Sequence, residues 1–176
     1  MQRARHITIA WILLLAACSP AKNPAVEALN GLSVEQKRVL TAWLSKNDSL
    51  RLSKDQDCNC KNEIDEIRRN GPWGKPIPGY QPYLQIGDFN HDTYSDFAIT
   101  LVRKRDPARR TLVIFNGGAA HQLSDPAFVM DANPPAALFY DQKHALSVGA
   151  PFSDNFCELK PIGPTYKPDC ESGDYG

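Results

Sequence analysis

The chain has 176 residues, with 20 Lys and Arg balanced by 20 Asp and Glu. That balance excludes general nucleic-acid binding, which needs a strong basic excess. The length suits one domain with a real core, and 14 prolines and 11 glycines without a long helical pattern after residue 70 point to many turns.

The opening MQRARHITIAWILLLAACSP sets Arg3 and Arg5 ahead of an apolar run from Ile7 to Ala17, the pattern of an export signal. The run is too short for a hydrocarbon core that needs about 20 helical residues. Leu15-Ala16-Ala17-Cys18 resembles the lipobox of bacterial lipoproteins; an ordinary secretory signal is the alternative. The resemblance implies that residues 1–17 are removed and that Cys18 is acylated with palmitate-type chains. Ser19, in place of aspartate, implies sorting to the outer membrane, on its periplasmic side. Several acyl chains, at about 0.8 kcal/mol per methylene, anchor a protein to a membrane without spanning it. Loss of Arg3 and Arg5 lowers the basic count from 20 to 18 against 20 acids, a slightly acidic mature chain.

Residues 18–32 read as the lipidated cysteine and a tether, and 33–176 as a single α+β domain. Ser33 and Gln36 fit a capping box at the start of a helix that ends near Lys46-Asn47-Asp48, with Val39, Leu40, Trp43 and Leu44 as its apolar stripe. A second helix is expected over 60–69, buried through Ile64 and Ile67 and ended by Asn70-Gly71. The proline-rich loop 71–83 carries Trp73, Tyr80 and Tyr83. It reads as a rigid strap on the core, with a polyproline-type ligand for a partner as the alternative. Short segments follow: YLQIGD, DFAITLV, TLVIFNG, AFVM, ALFY, ALSVGA, FCEL and TYKPDC. They are rich in β-branched and aromatic residues and divided by turn signals, so a mostly antiparallel sheet is predicted after two N-terminal helices.

The stretch GDFNHDTYSDFAIT, residues 87–100, holds the one acidic motif. Counting from Asp88, side-chain oxygens fall at places one, three, five and nine: Asp88, Asn90, Asp92 and Asp96. Tyr94, at place seven, offers its backbone carbonyl. Alternate residues turned inward surround one point with hard oxygen ligands, which suits calcium. A polar hairpin whose acids cap backbone amides as Asx-turns is the alternative. Residues 84–102 resemble one FG-GAP or VCBS-type repeat, and TLVIFNGG resembles the next strand of such a repeat. The resemblance implies that Asp88, Asn90, Asp92 and Asp96 are side-chain ligands of Ca²⁺, Tyr94 the carbonyl ligand, and Phe89 and Phe97 apolar plugs. Thr93 replaces the usual glycine, and Ile99 stands where an EF-hand has its bidentate glutamate. The expected affinity is therefore weak, roughly 10⁻⁴ to 10⁻³ M. A single copy excludes a propeller, which needs several blades.

With Cys18 lipidated, Cys58, Cys60, Cys157 and Cys170 remain, an even number that favours disulfides in an exported chain. Cys157 and Cys170 lie on the last two expected strands and are read as one bridge, leaving Cys58 and Cys60 to each other or unpaired. Redox chemistry at Cys58-Asn59-Cys60 is disfavoured by its spacing. His91, His121 and His144 show no zinc-type spacing with the cysteines. RKRDPARR, residues 103–110, reads as a charged hairpin tip able to touch an anionic glycan or lipid.

No nucleophile elbow, phosphate loop or flanking carboxylate pair is present, so no enzymatic activity is expected. The sequence predicts an outer-membrane-anchored periplasmic lipoprotein with a structural calcium loop, acting as a non-catalytic binding or envelope-structural module. Its alternatives are an envelope inhibitor or accessory factor docking a cell-wall enzyme and, third, a metal-dependent hydrolase.

Overall fold

The computed structural model describes residues 22–57, 61–71, 75–118, 125–132, 137–141, 145–149 and 156–170. Three α-helices appear among them: α1 (Pro24–Glu27), α2 (Val34–Lys46) and α3 (Lys61–Arg69), with a single 3₁₀ turn at Asp55–Asp57. Nine strands follow or intervene: β1 (Leu50–Leu52), β2 (Leu84–Gly87), β3 (Asp96–Arg103), β4 (Asp106–Phe115), β5 (Phe128–Ala132), β6 (Ala137–Asp141), β7 (Ala145–Gly149), β8 (Phe156–Ile162) and β9 (Thr165–Cys170). This is an α+β fold with antiparallel pairing throughout.

The strands form two sheets where one was expected. The first runs β1-β3-β4-β5, with β2 also paired to β3; the second is the meander β6-β7-β8-β9. The chain changes sheets between β5 and β6. Strands β3 and β4 carry apolar side chains on both faces, and a sheet apolar on both faces needs a cover on each. Phe97, Ile99, Leu101, Val113 and Phe115 pack against Val39, Leu40 and Leu44 of α2. Ala98, Leu112 and Ile114 pack on the other side against Leu138, Leu146, Leu159 and Tyr166 of the second sheet. The layers are thus helix, sheet, sheet. Phe97 and Phe115 face each other across β3 and β4 and stack at 4.7 Å, with Trp43 edge-on to Phe115 at 6.2 Å.

Local signals explain most boundaries. Gln36 N–H donates to Ser33 Oγ and Ser33 N–H to Gln36 Oε1, which completes the capping box of α2. α3 ends at Gly71, whose φ of +68° closes the last turn through its N–H to Ile67 O. The expected tether is corrected from residue 24 onward. Asn23 caps a turn that begins with Pro24 at the first helical position, and Val26 and Leu32 are buried against α2. β1 was not foreseen. It is three residues long, and its partner lies fifty residues away on β3.

A candidate metal loop at one end of the sandwich

The acidic stretch is the connection of a hairpin. β2 and β3 pair in register, Leu84 with Ile99 through Gly87 with Asp96, and residues 88–95 join them. Asp88 Oδ1 accepts the N–H of Asp92 at 2.9 Å and its Oδ2 that of Thr93 at 2.9 Å. Asn90 Oδ1 accepts from Asp92 N–H at 3.1 Å, and Asn90 Nδ2 donates to Asp92 Oδ2 at 3.0 Å. Asp92 Oδ1 accepts the Tyr94 N–H at 2.9 Å. The loop is folded around its own carboxylates as nested Asx-turns.

This winding needs two residues in the left-handed region, His91 at φ +61° and Thr93 at φ +76°. Thr93 therefore takes a left-handed backbone conformation that glycine adopts freely, at the cost a β-branched residue meets there.

Asp96 differs from the other acids because it is fully buried. Its Oδ2 accepts the Phe89 N–H at 2.8 Å and its Oδ1 the Gly117 N–H at 2.6 Å. Burial pushes its carboxyl above the usual range, against the pull of those two amides. Gly117 sits so close that an added Cβ would lie 2.5 Å from Ser95 O. Gln36 Nε2 of α2 also reaches Ser95 O at 3.2 Å, so the helix layer braces the end of the loop.

Two residues beyond the motif complete this end of the molecule. Tyr166 of β9 donates its hydroxyl to Asn116 Oδ1 at 2.7 Å, and Asn116 Nδ2 reaches Pro164 O in the β8–β9 turn at 3.4 Å. Burial, reinforced by the charges of Asp96, Asp92 and Asp88, raises the Tyr166 phenol far above its ordinary value. Asn116 follows directly from the strand that resembles the next strand of the repeat. Tyr166 stands seventy residues from Asp96, and no local pattern announces it.

The donor set is that of a hard cation, since each of the accepting carboxylate oxygens has a lone pair beyond the bond described. As the side chains stand, their hydrogen bonds go to backbone amides, and among the described residues no three Asp, Glu, His or Cys side chains form a metal cage. Asp88, Asn90 and Asp92 lie in the connection and Asp96 at the start of β3, with Tyr94 exposed beside them.

The other expected sites divide. Cys157 and Cys170 face each other across β8 and β9 and are disulfide-bonded. Cys18, Cys58 and Cys60 lie outside the described residues, as do Trp73, His121 and His144. Tyr80 and Tyr83 pack on Ile64 and Ile67, the strap arrangement, and Tyr80 donates its hydroxyl to Leu138 O at 3.0 Å. The basic run turns at Lys104-Arg105, earlier than the expected Asp106-Pro107 turn. Arg110 leaves the tip altogether: it is buried and donates Nη2 to Asp57 O at 2.6 Å, because strand alternation points it inward. Arg103 pairs with Asp131 at 3.1 Å and Arg109 with Asp106 at 3.5 Å, which leaves a less cationic tip than the sequence suggests.

Among the described residues no helix is long and apolar enough to cross a membrane. No protein-family model, curated protein or solved structure matches the chain. The likeness of residues 84–102 to an FG-GAP repeat therefore rests on the loop's own residues.

Proposed function

We propose that this chain is a bacterial lipoprotein held on the periplasmic side of the outer membrane by an acylated Cys18, and that its folded part is a non-catalytic binding or structural module with a calcium-stabilised hairpin. The observation that carries the calcium reading is the loop itself. Three carboxylates and an amide oxygen fall within nine positions, and each carboxylate oxygen that accepts an amide in these Asx-turns keeps a lone pair for an ion. An ion would neutralise three neighbouring acids and fix β2 against β3; Asp88, Asn90, Asp92, Asp96 and the Tyr94 carbonyl would hold it. The Cys157–Cys170 disulfide supports an oxidising compartment.

Two measurements test the reading. Calcium at about ten times its dissociation constant adds roughly 1.4 kcal/mol, and so raises the thermal midpoint by about 3–6 °C for a domain of this size. An Asp88→Ala, Asp92→Ala double variant should lose that rise. Radiolabelled palmitate should enter the native chain and not Cys18→Ala, which should leave the membrane fraction. An unmoved midpoint at several millimolar calcium sinks the metal loop, and unlabelled native protein sinks the anchor.

A further inference from the structure

Strand β3 has two partners on one edge, placed end to end. β1 pairs with Leu101 through Arg103, and β2 pairs with Asp96 through Ile99. The edge is interrupted opposite Thr100, where the chain departs after Leu52, runs through the 3₁₀ turn, α3 and the proline loop, and returns at Tyr83, whose carbonyl accepts the Thr100 N–H at 2.9 Å. A continuous strand would fill this position. Instead a cavity of about 170 Å³ opens there.

Ser53, Tyr83 and Thr100 are among its lining residues, and the hydroxyl oxygen of each is buried without a hydrogen-bond partner among the described residues. Thr100 is 2% exposed and Tyr83 8%. Buried polar atoms are normally satisfied by protein, water or ligand, so three unsatisfied ones on a single cavity call for an occupant. Arg68 and Asp55 form the mouth, paired at 2.9 Å with side chains 31% and 29% exposed. Leu84 and Ile99 supply apolar wall.

Size and charge narrow the occupant. A cavity of about 150 Å³ takes a benzene ring, whereas pockets for drug-sized molecules begin near 300 Å³. The charged groups of the mouth neutralise each other, so an entering ion would be desolvated without a counter-charge. Each hydroxyl both donates and accepts, and matches a molecule that does the same at several points. Burial, with the Asp55 charge adding to it, pushes the Tyr83 phenol up to about 12, so it remains neutral at physiological pH.

We infer that the cavity at the interrupted edge of β3 binds a small neutral polyol no larger than a pentose, its hydroxyls paired to Ser53, Tyr83 and Thr100. The site is separate from the acidic loop and depends on neither the calcium nor the anchor.

Titration calorimetry and ligand-observed NMR on the whole chain test this, with D-xylose and glycerol as probes and acetate and inorganic phosphate as charged controls. D-xylose should bind saturably in the millimolar range. Tyr83→Phe and Thr100→Val, which keep volume and delete a hydroxyl, should each weaken binding about three- to tenfold. Ser53→Ala, at the shallower position, gives the same readout if a deeper variant does not fold. Absence of saturation by either polyol up to about 100 mM overturns the inference. So does unchanged affinity in folded variants, or tighter binding of either anion.

Discussion

Asp96 Oδ1 accepts the backbone N–H of Gly117 at 2.6 Å while Oδ2 accepts that of Phe89 at 2.8 Å, so one buried carboxylate ties the start of the acidic loop to the end of β4. Asp96→Ala leaves both amides unpaired in the interior, at about 1–3 kcal/mol each. Urea unfolding should show a loss of about 2–6 kcal/mol with or without calcium. A loss confined to calcium-loaded protein would mean that Asp96 acts only as a ligand.

Thr93, held at a positive φ, should gain from substitution by glycine. Relief of a left-handed threonine returns about 1–2 kcal/mol, and the greater unfolded freedom of glycine takes back about 0.5–1 kcal/mol. Thr93→Gly is therefore expected to raise the thermal midpoint by a few degrees, and to tighten calcium binding because the loop no longer strains to reach its ligand-bearing form. A lower midpoint would show that the threonine side chain holds something at this position that its backbone conformation does not reveal.

The pair Arg51–Asp57 sets an acid limb. Both oxygens of Asp57 accept from Arg51 at 2.7 Å, and Oδ2 also accepts the Lys54 N–H. Chiefly through the Arg51 hydrogen bonds and against desolvation, the carboxyl is held below its ordinary 3.8. A folded value below the unfolded one stabilises the fold above the unfolded value, and that contribution fades as pH falls through the folded one. Asp57→Asn should cost about 1–3 kcal/mol at pH 7, and the gap to the native protein should close as pH is lowered past about 4. A gap that stays constant down to pH 2 would refute the assignment.

Opening the Cys157–Cys170 bridge removes a cross-link with a sequence separation of 13. The double variant Cys157→Ser, Cys170→Ser should lose about 2–3 kcal/mol. The loss should show in chemical denaturation, and reductant should lower the native midpoint toward that of the variant. The hairpin turn at residues 163–164 already shortens the closing loop, which places the expected loss toward the lower figure.

Within the fold, what was legible depended on how local the cause was. The helix over 34–46 follows from Ser33 and Gln36, three residues apart, and the strands from short β-branched runs between turn residues. How the strands divide between two sheets depends on packing that unites residues such as Leu112 and Leu146, far apart in sequence, in one core cluster, and the division therefore left no mark on any one segment. Arg110 was misplaced because a run of charges resembles a solvated tip, whereas the alternation of β4 had already turned inward at that residue. The acidic loop was legible because its donors lie within nine positions. Asn116 and Tyr166, which finish that end of the molecule, were not, since only the tertiary fold brings them near. The cavity beside Thr100 has no sequence signature, being the product of an interruption in pairing.

The second sheet ends in β9, and the composition of that strand bears on how the protein behaves when crowded. Pro168 contributes no N–H to a newcomer, Lys167 adds charge beside it, and Lys160 of β8 pairs across to Asp169 at 2.6 Å. An incoming strand from another copy would meet a broken row of donors and a charged fringe, the features that keep sheet margins from sticking together. At this margin two copies meeting edge to edge would find little to extend, and the β8–β9 hairpin guards its own side of the second sheet.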